Sequence, residues 1–226
     1  MTVLAIDQGT SATKAVVVAE DGSILALAEA SIQVRATSDG AVELDPEELW
    51  ASVVAAGNEA MAAAGHPQLA AIGLANQGET VLAWDRSTGV PNGRAIVWQD
   101  RRAEVVCDRL REHAAFLADH TGLELDPYFV APKMVWLREQ LDDGDATITT
   151  TDAWMLHRLC GAFSTDVATA GRSLLLDLDT AQWSEDACAI FGIDRSTLPT
   201  VVSNAEALGE CSLFGGSVPV TGTCVD

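Results

Sequence analysis

The chain has 226 residues, of which 33 are acidic and 13 basic, so its formal net charge at pH 7 is −20. This negative charge excludes binding to a nucleic-acid backbone as the default function. Because 48% of the residues are hydrophobic and only 20% are charged, the chain can bury a sizeable core and is not a disordered acidic tail.

The pattern along the chain predicts one globular domain without a membrane span. No linker rich in Pro, Gly or Ser divides the sequence, although its length also allows two small domains. Charged residues, beginning with Asp7 and Lys14, interrupt every apolar run, and the first residues lack the basic start of a secretory signal. The five cysteines form no CxxC pair and are expected to be reduced thiols that mostly pack in the interior. We therefore expect a cytoplasmic protein that binds neither membrane nor nucleic acid.

The first third of the chain predicts a three-stranded meander followed by a helix. Apolar, β-branched runs separated by small-residue turns indicate strands over residues 2–7, 14–19 and 24–30. Asp45 is a typical N-cap, followed by Pro46 at the first helical position and then by apolar residues at helical spacing. This signature predicts a helix over 46–64.

The remaining elements alternate between strand and helix patterns. Strands are predicted over 69–74 and 80–84, on either side of the polar loop 76–79. Helices are predicted over 101–119, 131–141 and 152–160, with another beginning at Ser184. This alternation indicates an α/β fold.

Common catalytic motifs are absent from the sequence. It contains no GxxxxGK(S/T) loop, GxGxxG fingerprint, HExxH pair or GxSxG elbow. The four histidines do not cluster at the spacing of metal ligands.

The segment from Asp7 to Lys14 is the first that could carry chemistry. A strand delivers the Asp7 carboxylate, and the following turn contains Gly9, Thr10 and Ser11. Such a turn can hold phosphate oxygens through backbone N–H groups, hydroxyls and the Lys14 charge, while Asp7 can hold Mg²⁺. An ordinary polar hairpin has the same residue types, so both interpretations stay open.

Polar residues at the ends of later strands form a second group. Glu79 follows one apolar run and Trp98 follows another, where α/β folds place ligands. Trp98 could pack on the carbon face of a polyol while Glu79 accepts its hydroxyl hydrogens. Taken individually, Trp98 is typical of a core residue and Glu79 of a solvated surface. Tyr128, the single tyrosine, could reach a ligand or cap a loop.

The last residues, 218–226, predict a strand, a small-residue turn and a carboxylate at Asp226. No further element follows to pack on this turn, so we expect the complete protein to continue beyond it.

Together these segments resemble the FGGY family of carbohydrate kinases, and most of all its glycerol kinase branch. The resemblance runs through the whole chain in order and is carried by AIDQGTSATKAVV (5–17), ELDPEELW (43–50), IGLANQGET (72–80), AIVWQDRR (95–102), TGLELDPYF (121–129), TDAWMLHRLCG (151–161), TDVATAGRSLL (165–175) and VTGTCVD (220–226). It implies an α/β fold of the ribonuclease H-like, actin-like ATPase type, with a mixed sheet flanked by helices. It also implies that residues 1–226 are the N-terminal domain and that a C-terminal nucleotide-binding domain is absent from this chain.

The resemblance assigns roles to individual residues. Thr10, Ser11 and Lys14 fall in the ATP phosphate site, and Asp7 and Asp226 in the Mg²⁺ site. Asp226 aligns with the general base that takes the proton of the substrate hydroxyl. Four positions besides Asp226 fall on the polyol site, namely Gly78, Glu79, Trp98 and Tyr128.

Two departures from the glycerol kinase pattern bear on the substrate. Gly78 replaces an arginine, which removes a forked donor and leaves room for a substrate larger than glycerol. Ala12 and Lys14 replace a hydroxyl residue and an arginine, and Lys14 keeps the charge without the fork. Glycerol, erythritol-like polyols and small ketoses all remain open as substrates.

The leading hypothesis is an ATP-dependent kinase of a small sugar or polyol, with the isolated chain expected to be inactive. One alternative is a non-catalytic polyol-binding or interaction module, whose exposed apolar face would favour homo-oligomers. Another is an ATPase similar to Hsp70 or actin, which the match at Glu79, Trp98 and Tyr128 disfavours.

Overall fold

The computed structural model describes residues 1–38, 40–142 and 144–226. The strands are β1 (Thr2–Gln8), β2 (Ala12–Ala19), β3 (Ile24–Ser31), β4 (Val34–Ala36), β5 (Val42–Leu44), β6 (Ala71–Asn76), β7 (Val81–Trp84), β8 (Ala95–Ile96), β9 (Thr147–Thr150), β10 (Ser164–Asp166), β11 (Leu176–Asp177), β12 (Gln182–Trp183), β13 (Thr200–Val202), β14 (Gly209–Cys211) and β15 (Val218–Val225). The helices are α1 (Pro46–Ala63), α2 (Glu104–Arg109), α3 (Ala114–Thr121), α4 (Val130–Gln140), α5 (Thr151–Cys160), α6 (Val167–Ala170) and α7 (Glu185–Phe191). Short 3₁₀ turns span Arg111–His113 and Arg195–Thr197.

A six-stranded mixed sheet positions the ends of three parallel strands side by side. Its order is β14-β15-β6-β1-β2-β3, in which β1 and β15 both run parallel to β6. Gln8 and Val225 both lie level with Asn76, the last residue of β6. The carboxyl ends of β1, β6 and β15 therefore meet at one edge, where α/β folds hold their ligands.

The predicted meander and its following helix are confirmed. β1, β2 and β3 pair antiparallel in sequence order, and the first turn closes with the Gly9 N–H donating to the Ala12 carbonyl at 3.0 Å. The α1 helix begins at Pro46, and the Asp45 carboxylate accepts the Glu47 N–H at 3.0 Å as its N-cap. α1 packs on β2 and β3, and the Phe214 ring, from the segment between β14 and β15, fills the space where a Cβ of Gly57 would stand.

A five-stranded sheet of order β4-β5-β8-β7-β9 forms the second part of the fold. α4 and α5 both contact this sheet, and a second hydrophobic cluster, which includes Val81, Leu117 and Leu174, lies on the α4 side. The strand predicted over 69–74 is β6, shifted by two residues, and the predictions of β7, α4, α5 and a helix capped by Ser184 are confirmed.

The prediction of one helix over 101–119 is wrong. The chain forms α2, a 3₁₀ turn and α3 instead. At Leu110, which follows α2, the backbone N–H is shared between the carbonyls of Val106 and Cys107, both at 3.2 Å. This sharing tightens the last turn of α2 towards 3₁₀ geometry, and the 3₁₀ turn Arg111–His113 follows directly.

The small-residue turn predicted near the end of the chain is also wrong. Val218–Val225 is one strand, and its pairing with β6 skips a residue between Val220 and Gly222. Thr221 is thus the extra residue of a bulge, which explains why small residues gather here without reversing the chain.

The state of the cysteines and the length of the helices were also predicted from the sequence. All five cysteines are free thiols, and Cys107, Cys188 and Cys211 are buried. Within the described ranges, the helices are too short or too polar to cross a bilayer.

Candidate functional site

A cavity of about 500 Å³ lies at the meeting point of β1, β6 and β15. It brings together six of the residues predicted to form the site, namely Thr10, Gly78, Glu79, Trp98, Tyr128 and Asp226. Three lining residues were not singled out from the sequence, namely Gln77, Arg172 and Val225. A second large cavity, between α4 and α7, contains none of the predicted residues.

Glu79 and Arg172 form an ion pair in the wall of this cavity. The Arg172 Nε donates to Glu79 Oε1 at 2.6 Å, and the Glu79 side chain is only 6% exposed. Glu79 has a φ of +54°, a left-handed conformation that is uncommon for a residue with a Cβ. The interpretation of Glu79 as a solvated surface residue is therefore wrong, because its loop turns the carboxylate inward towards a fixed cation.

The β6–β7 loop that carries Glu79 is held by its own polar side chains. Thr80 Oγ1 donates to Gln77 Oε1 at 2.9 Å, and the Gln77 backbone N–H donates to the Gln8 carbonyl at 2.8 Å. Both side chains are buried, so these contacts fix the direction in which the loop leaves the sheet.

Two aromatic rings form a second wall that adjoins the ion pair, since the Arg172 Cζ lies 5.7 Å from the Tyr128 ring centroid. The Trp98 and Tyr128 ring centroids are 5.7 Å apart at an interplanar angle of 65°. Trp98 packs one side on the main hydrophobic core and lines the cavity with the other. Its indole Nε1 donates to Thr10 Oγ1 at 3.0 Å. Trp98 is thus both a core contact and a lining residue, and it connects the aromatic wall to the β1–β2 turn.

Asp226 and Asp7 place two carboxyl groups at the end of the parallel strands. The Asp226 backbone N–H donates to the Asn76 carbonyl at 3.1 Å, which continues the β15–β6 ladder. Burial, and then the negative charge of Asp7, raise the pKa of Asp226, and the backbone N–H groups of Asp226 and Gly78 partly offset this. Asp7 Oδ1 is buried without a hydrogen-bond partner. An orphaned carboxylate oxygen near a second carboxylate fits a divalent cation that completes its shell with water and phosphate oxygens.

The residues predicted for the phosphate site lie on the β1–β2 hairpin. Thr10 and Ser11 follow Gly9 in the β1–β2 turn, and Lys14 lies directly opposite Asp7 on β2. Lys14 and Ser11 are exposed and do not line the cavity. Because directly opposed residues of an antiparallel pair point to the same face, Lys14 lies on the same side of the sheet as Asp7.

Lys133 lies behind the aromatic wall and is fully buried. Its Nζ donates to the Phe129 carbonyl at 2.9 Å and to the Tyr128 carbonyl. Burial lowers the pKa of Lys133 to about 7, although the charges of Glu79, Asp100 and Asp126 act in the opposite direction. The ammonium therefore fixes the backbone from which the Tyr128 ring enters the cavity.

Residues 2–224 match the model of the FGGY family of carbohydrate kinases, N-terminal domain. The chain belongs to this family. The matched range covers nearly every described element. It includes every residue that lines the cavity except Val225 and Asp226.

Curated relatives of this FGGY chain include glycerol kinases. It is 41% identical over 238 residues to the glycerol kinase of Methylibium petroleiphilum, which covers 99% of this chain and 48% of the relative. It is also 41% identical over 239 residues, with the same coverage, to the glycerol kinase of Methylobacterium nodulans. The chain thus spans about half the length of the curated relatives it matches.

Solved structures show the same fold. The crystal structure of Plasmodium falciparum glycerol kinase with ADP matches with a TM-score of 0.93 at 32% identity, over 100% of this chain and 48% of that one. The xylulose kinase of Rhodospirillum rubrum matches with a TM-score of 0.92 at 22% identity, over 100% of this chain and 49% of that one. The predicted α/β fold of the FGGY type is confirmed.

Arg172, which lines the cavity, and Lys133, which lies behind the aromatic wall, were also left unassigned by the sequence pattern. Arg172 lies in the turn after α6, far along the chain from Glu79, and only the tertiary fold joins them. Lys133 carried a signal, because it is a single charge within the apolar start of α4. A charge in such a position is either buried with partners or breaks the apolar face.

Proposed function

We propose that residues 1–226 form the N-terminal domain of an ATP-dependent carbohydrate or polyol kinase. The observation that carries this proposal is the ion pair between the buried Glu79 and the partly exposed Arg172, next to two aromatic rings, with the Asp226 carboxyl group in the same cavity. Such a site combines fixed hydroxyl acceptors with an apolar ring face, which suits a small sugar or polyol. A second domain, which would account for the other half of the relatives' length, would carry the nucleotide pocket.

The acceptor would bind against two adjoining walls, the Glu79–Arg172 ion pair and the aromatic rings. The Glu79 carboxylate accepts hydrogens from its hydroxyl groups, and Arg172 holds that carboxylate in one orientation while donating from its remaining N–H groups. The rings of Trp98 and Tyr128 pack on the carbon skeleton. Because both walls are held by the fold before any ligand arrives, little ordering is needed on binding.

Asp226 would act as the general base. As the acceptor hydroxyl oxygen attacks the γ-phosphorus of ATP, its proton passes to the Asp226 carboxylate, and the bond from the γ-phosphorus to the bridging oxygen breaks to release ADP. The Asp226 carboxyl group lines the cavity that would hold the acceptor, which supports this role. Phosphoryl transfer otherwise depends mainly on positioning and on stabilisation of charge.

The β1–β2 turn would hold the phosphate end of ATP. Thr10 and Ser11 donate hydroxyl hydrogens, Lys14 supplies positive charge, and Asp7 with Asp226 would hold Mg²⁺. The bound Mg²⁺ would neutralise charge on the phosphates. The orphaned Asp7 Oδ1 supports this assignment. With a net charge of −20, the chain needs these local cations to attract a nucleotide.

No observation favours a non-catalytic module or an ATPase similar to Hsp70 over this proposal. A cytoplasmic location, self-association and inactivity of the isolated chain stay predictions.

The experiment that tests the proposal is an ADP-release screen of the protein expressed from its complete gene. Glycerol, erythritol, xylulose, ribulose and gluconate are the acceptors, and the intact mass of the sample is measured first. We expect one or more of them to be phosphorylated. ATP hydrolysis that no acceptor stimulates would contradict the proposal and favour an ATPase, whereas acceptor binding without ADP release would favour a binding module.

A matched pair of variants places the activity in the cavity. Glu79→Gln keeps the shape but removes the charge paired with Arg172, so it should lower kcat/KM for the acceptor roughly tenfold to a hundredfold. Glu59→Gln makes the same change at an exposed position of α1 and should leave kcat/KM unchanged. Equal effects of the two variants would contradict the assignment of Glu79.

A further inference from the structure

The Val225 side chain, next to Asp226, lies where a side chain on residue 78 would begin. A Cβ built on Gly78 would stand 2.9 Å from Val225 Cγ2, which is closer than real Cβ contacts allow. The backbone of Gly78 is not in the left-handed region, so conformation alone does not demand a glycine there. Instead, a glycine fits because the Val225 side chain leaves too little space for a Cβ at this position. Val225 thus lies against the first atom that a side chain at position 78 would add, and the expectation that Gly78 leaves room for a larger substrate stays a prediction.

Val225 is held firmly in this position. It is the last residue of β15 and pairs with Asn76 of β6. Its β-branched side chain has few rotamers available within a strand. It is half-buried and lines the cavity next to Asp226. One wall beside the reacting carboxyl group is therefore apolar, whereas the wall formed by Glu79 and Arg172 is charged.

We propose that Gly78 and Val225 act as a paired specificity determinant for the acceptor. This inference rests on the proposed kinase function. Together they select sugars or polyols that present a carbon without a hydroxyl group, such as a deoxy, methyl or methylene position, to Val225. A hydroxyl pressed against Val225 would lose its water without gaining a partner, whereas a methyl group would fill the contact.

The test compares matched acceptors in the protein expressed from its complete gene. The pairs are glycerol with propane-1,2-diol and D-xylulose with 1-deoxy-D-xylulose, and the readout is the ratio of kcat/KM for the deoxy compound to that for its parent. Val225→Thr has nearly the same shape but adds a hydroxyl. It should lower this ratio roughly tenfold in at least one pair. Equal ratios in the wild-type protein and in Val225→Thr would overturn the inference.

A double-mutant cycle tests the pairing of the two residues. Gly78→Arg alone should lower kcat/KM for every acceptor, because its side chain displaces Val225. Gly78→Arg combined with Val225→Gly should recover glycerol phosphorylation roughly tenfold above the single Gly78→Arg variant, which is the coupling expected of residues in contact. Strictly additive effects would overturn the pairing.

The outcomes separate this inference from the proposed function. If the wild-type protein phosphorylates an acceptor but the ratios and the cycle show no dependence on Val225, the inference is overturned and the kinase function stands. If the wild-type protein phosphorylates none of the acceptors, both are overturned. Circular dichroism of each variant confirms that a loss of activity is not a loss of fold.

Discussion

Replacement of Lys133 by methionine should remove a pH dependence of stability that this lysine gives to the fold. Lys133 is fully buried, and its Nζ is bonded to the carbonyls of Tyr128 and Phe129. Methionine has a similar length and no charge. The variant therefore tests whether the wall of the site is built on a buried amine whose protonation is costly.

The magnitude follows from the pKa of Lys133, which is about 7 in the fold against an ordinary value of 10.5. Because the folded-state pKa is the lower one, the unfolded chain binds more protons between these values, and stability rises with pH across that window. The whole window corresponds to about 5 kcal/mol, of which about 1.5 kcal/mol falls between pH 7 and about pH 8.5. Higher pH is avoided, because burial raises the pKa of Cys107 to about 12 and of Cys188 to about 11, so stability then falls with pH.

Urea denaturation at pH 7 and at about pH 8.5 measures this rise. The free energy of unfolding should rise by about 1.5 kcal/mol more in the wild-type chain than in Lys133→Met, because the contribution of the other titrating groups, among them the cysteines, is common to both. Lys14→Met, which removes the chain's other lysine at an exposed position, should keep the wild-type rise. The reasoning is refuted if Lys133→Met shows the same rise as the wild-type chain.

Two further substitutions test the packing of α1 in the core and one hydrogen bond in the cavity. Gly57→Ala should lower the free energy of unfolding by about 1–3 kcal/mol, because its Cβ collides with the Phe214 ring; an unchanged urea midpoint would contradict this packing. Trp98→Phe keeps an aromatic face but removes the N–H bonded to Thr10, so kcat/KM for phosphorylation should fall roughly threefold to tenfold. Wild-type kinetics in Trp98→Phe would show that this hydrogen bond does not orient the Thr10 hydroxyl.

Much of the fold could be predicted from local chemistry. The Asp45-Pro46 signature gave the start of α1 correctly because an N-cap and a proline act within one helical turn. The break at Leu110 could not be predicted, since no proline or glycine marks it and the apolar spacing continues through it. The bulge at Thr221 was mistaken for a turn because small residues serve both purposes.

Part of the candidate site could also be predicted from the sequence, and part could not. Glu79, Trp98 and Tyr128 were found from polar and aromatic residues at strand ends and from the family resemblance, and the cavity contains all three. Arg172 was not found, because a residue that neutralises a carboxylate from 93 positions away leaves no local pattern. The close approach of Val225 to the Cβ position of Gly78 likewise depends on tertiary packing and could not be read from the sequence.

The most direct test of the central claim is a comparison of the wild-type protein with Asp226→Asn, each expressed from the complete gene. Phosphorylated acceptor is quantified alongside the dissociation constant of that acceptor, measured by calorimetry. We predict a loss of turnover of roughly 10²-fold to 10⁴-fold, with the dissociation constant changed less than about tenfold. Undiminished turnover, or a loss of binding as large as the loss of turnover, would contradict the role of Asp226 as the base.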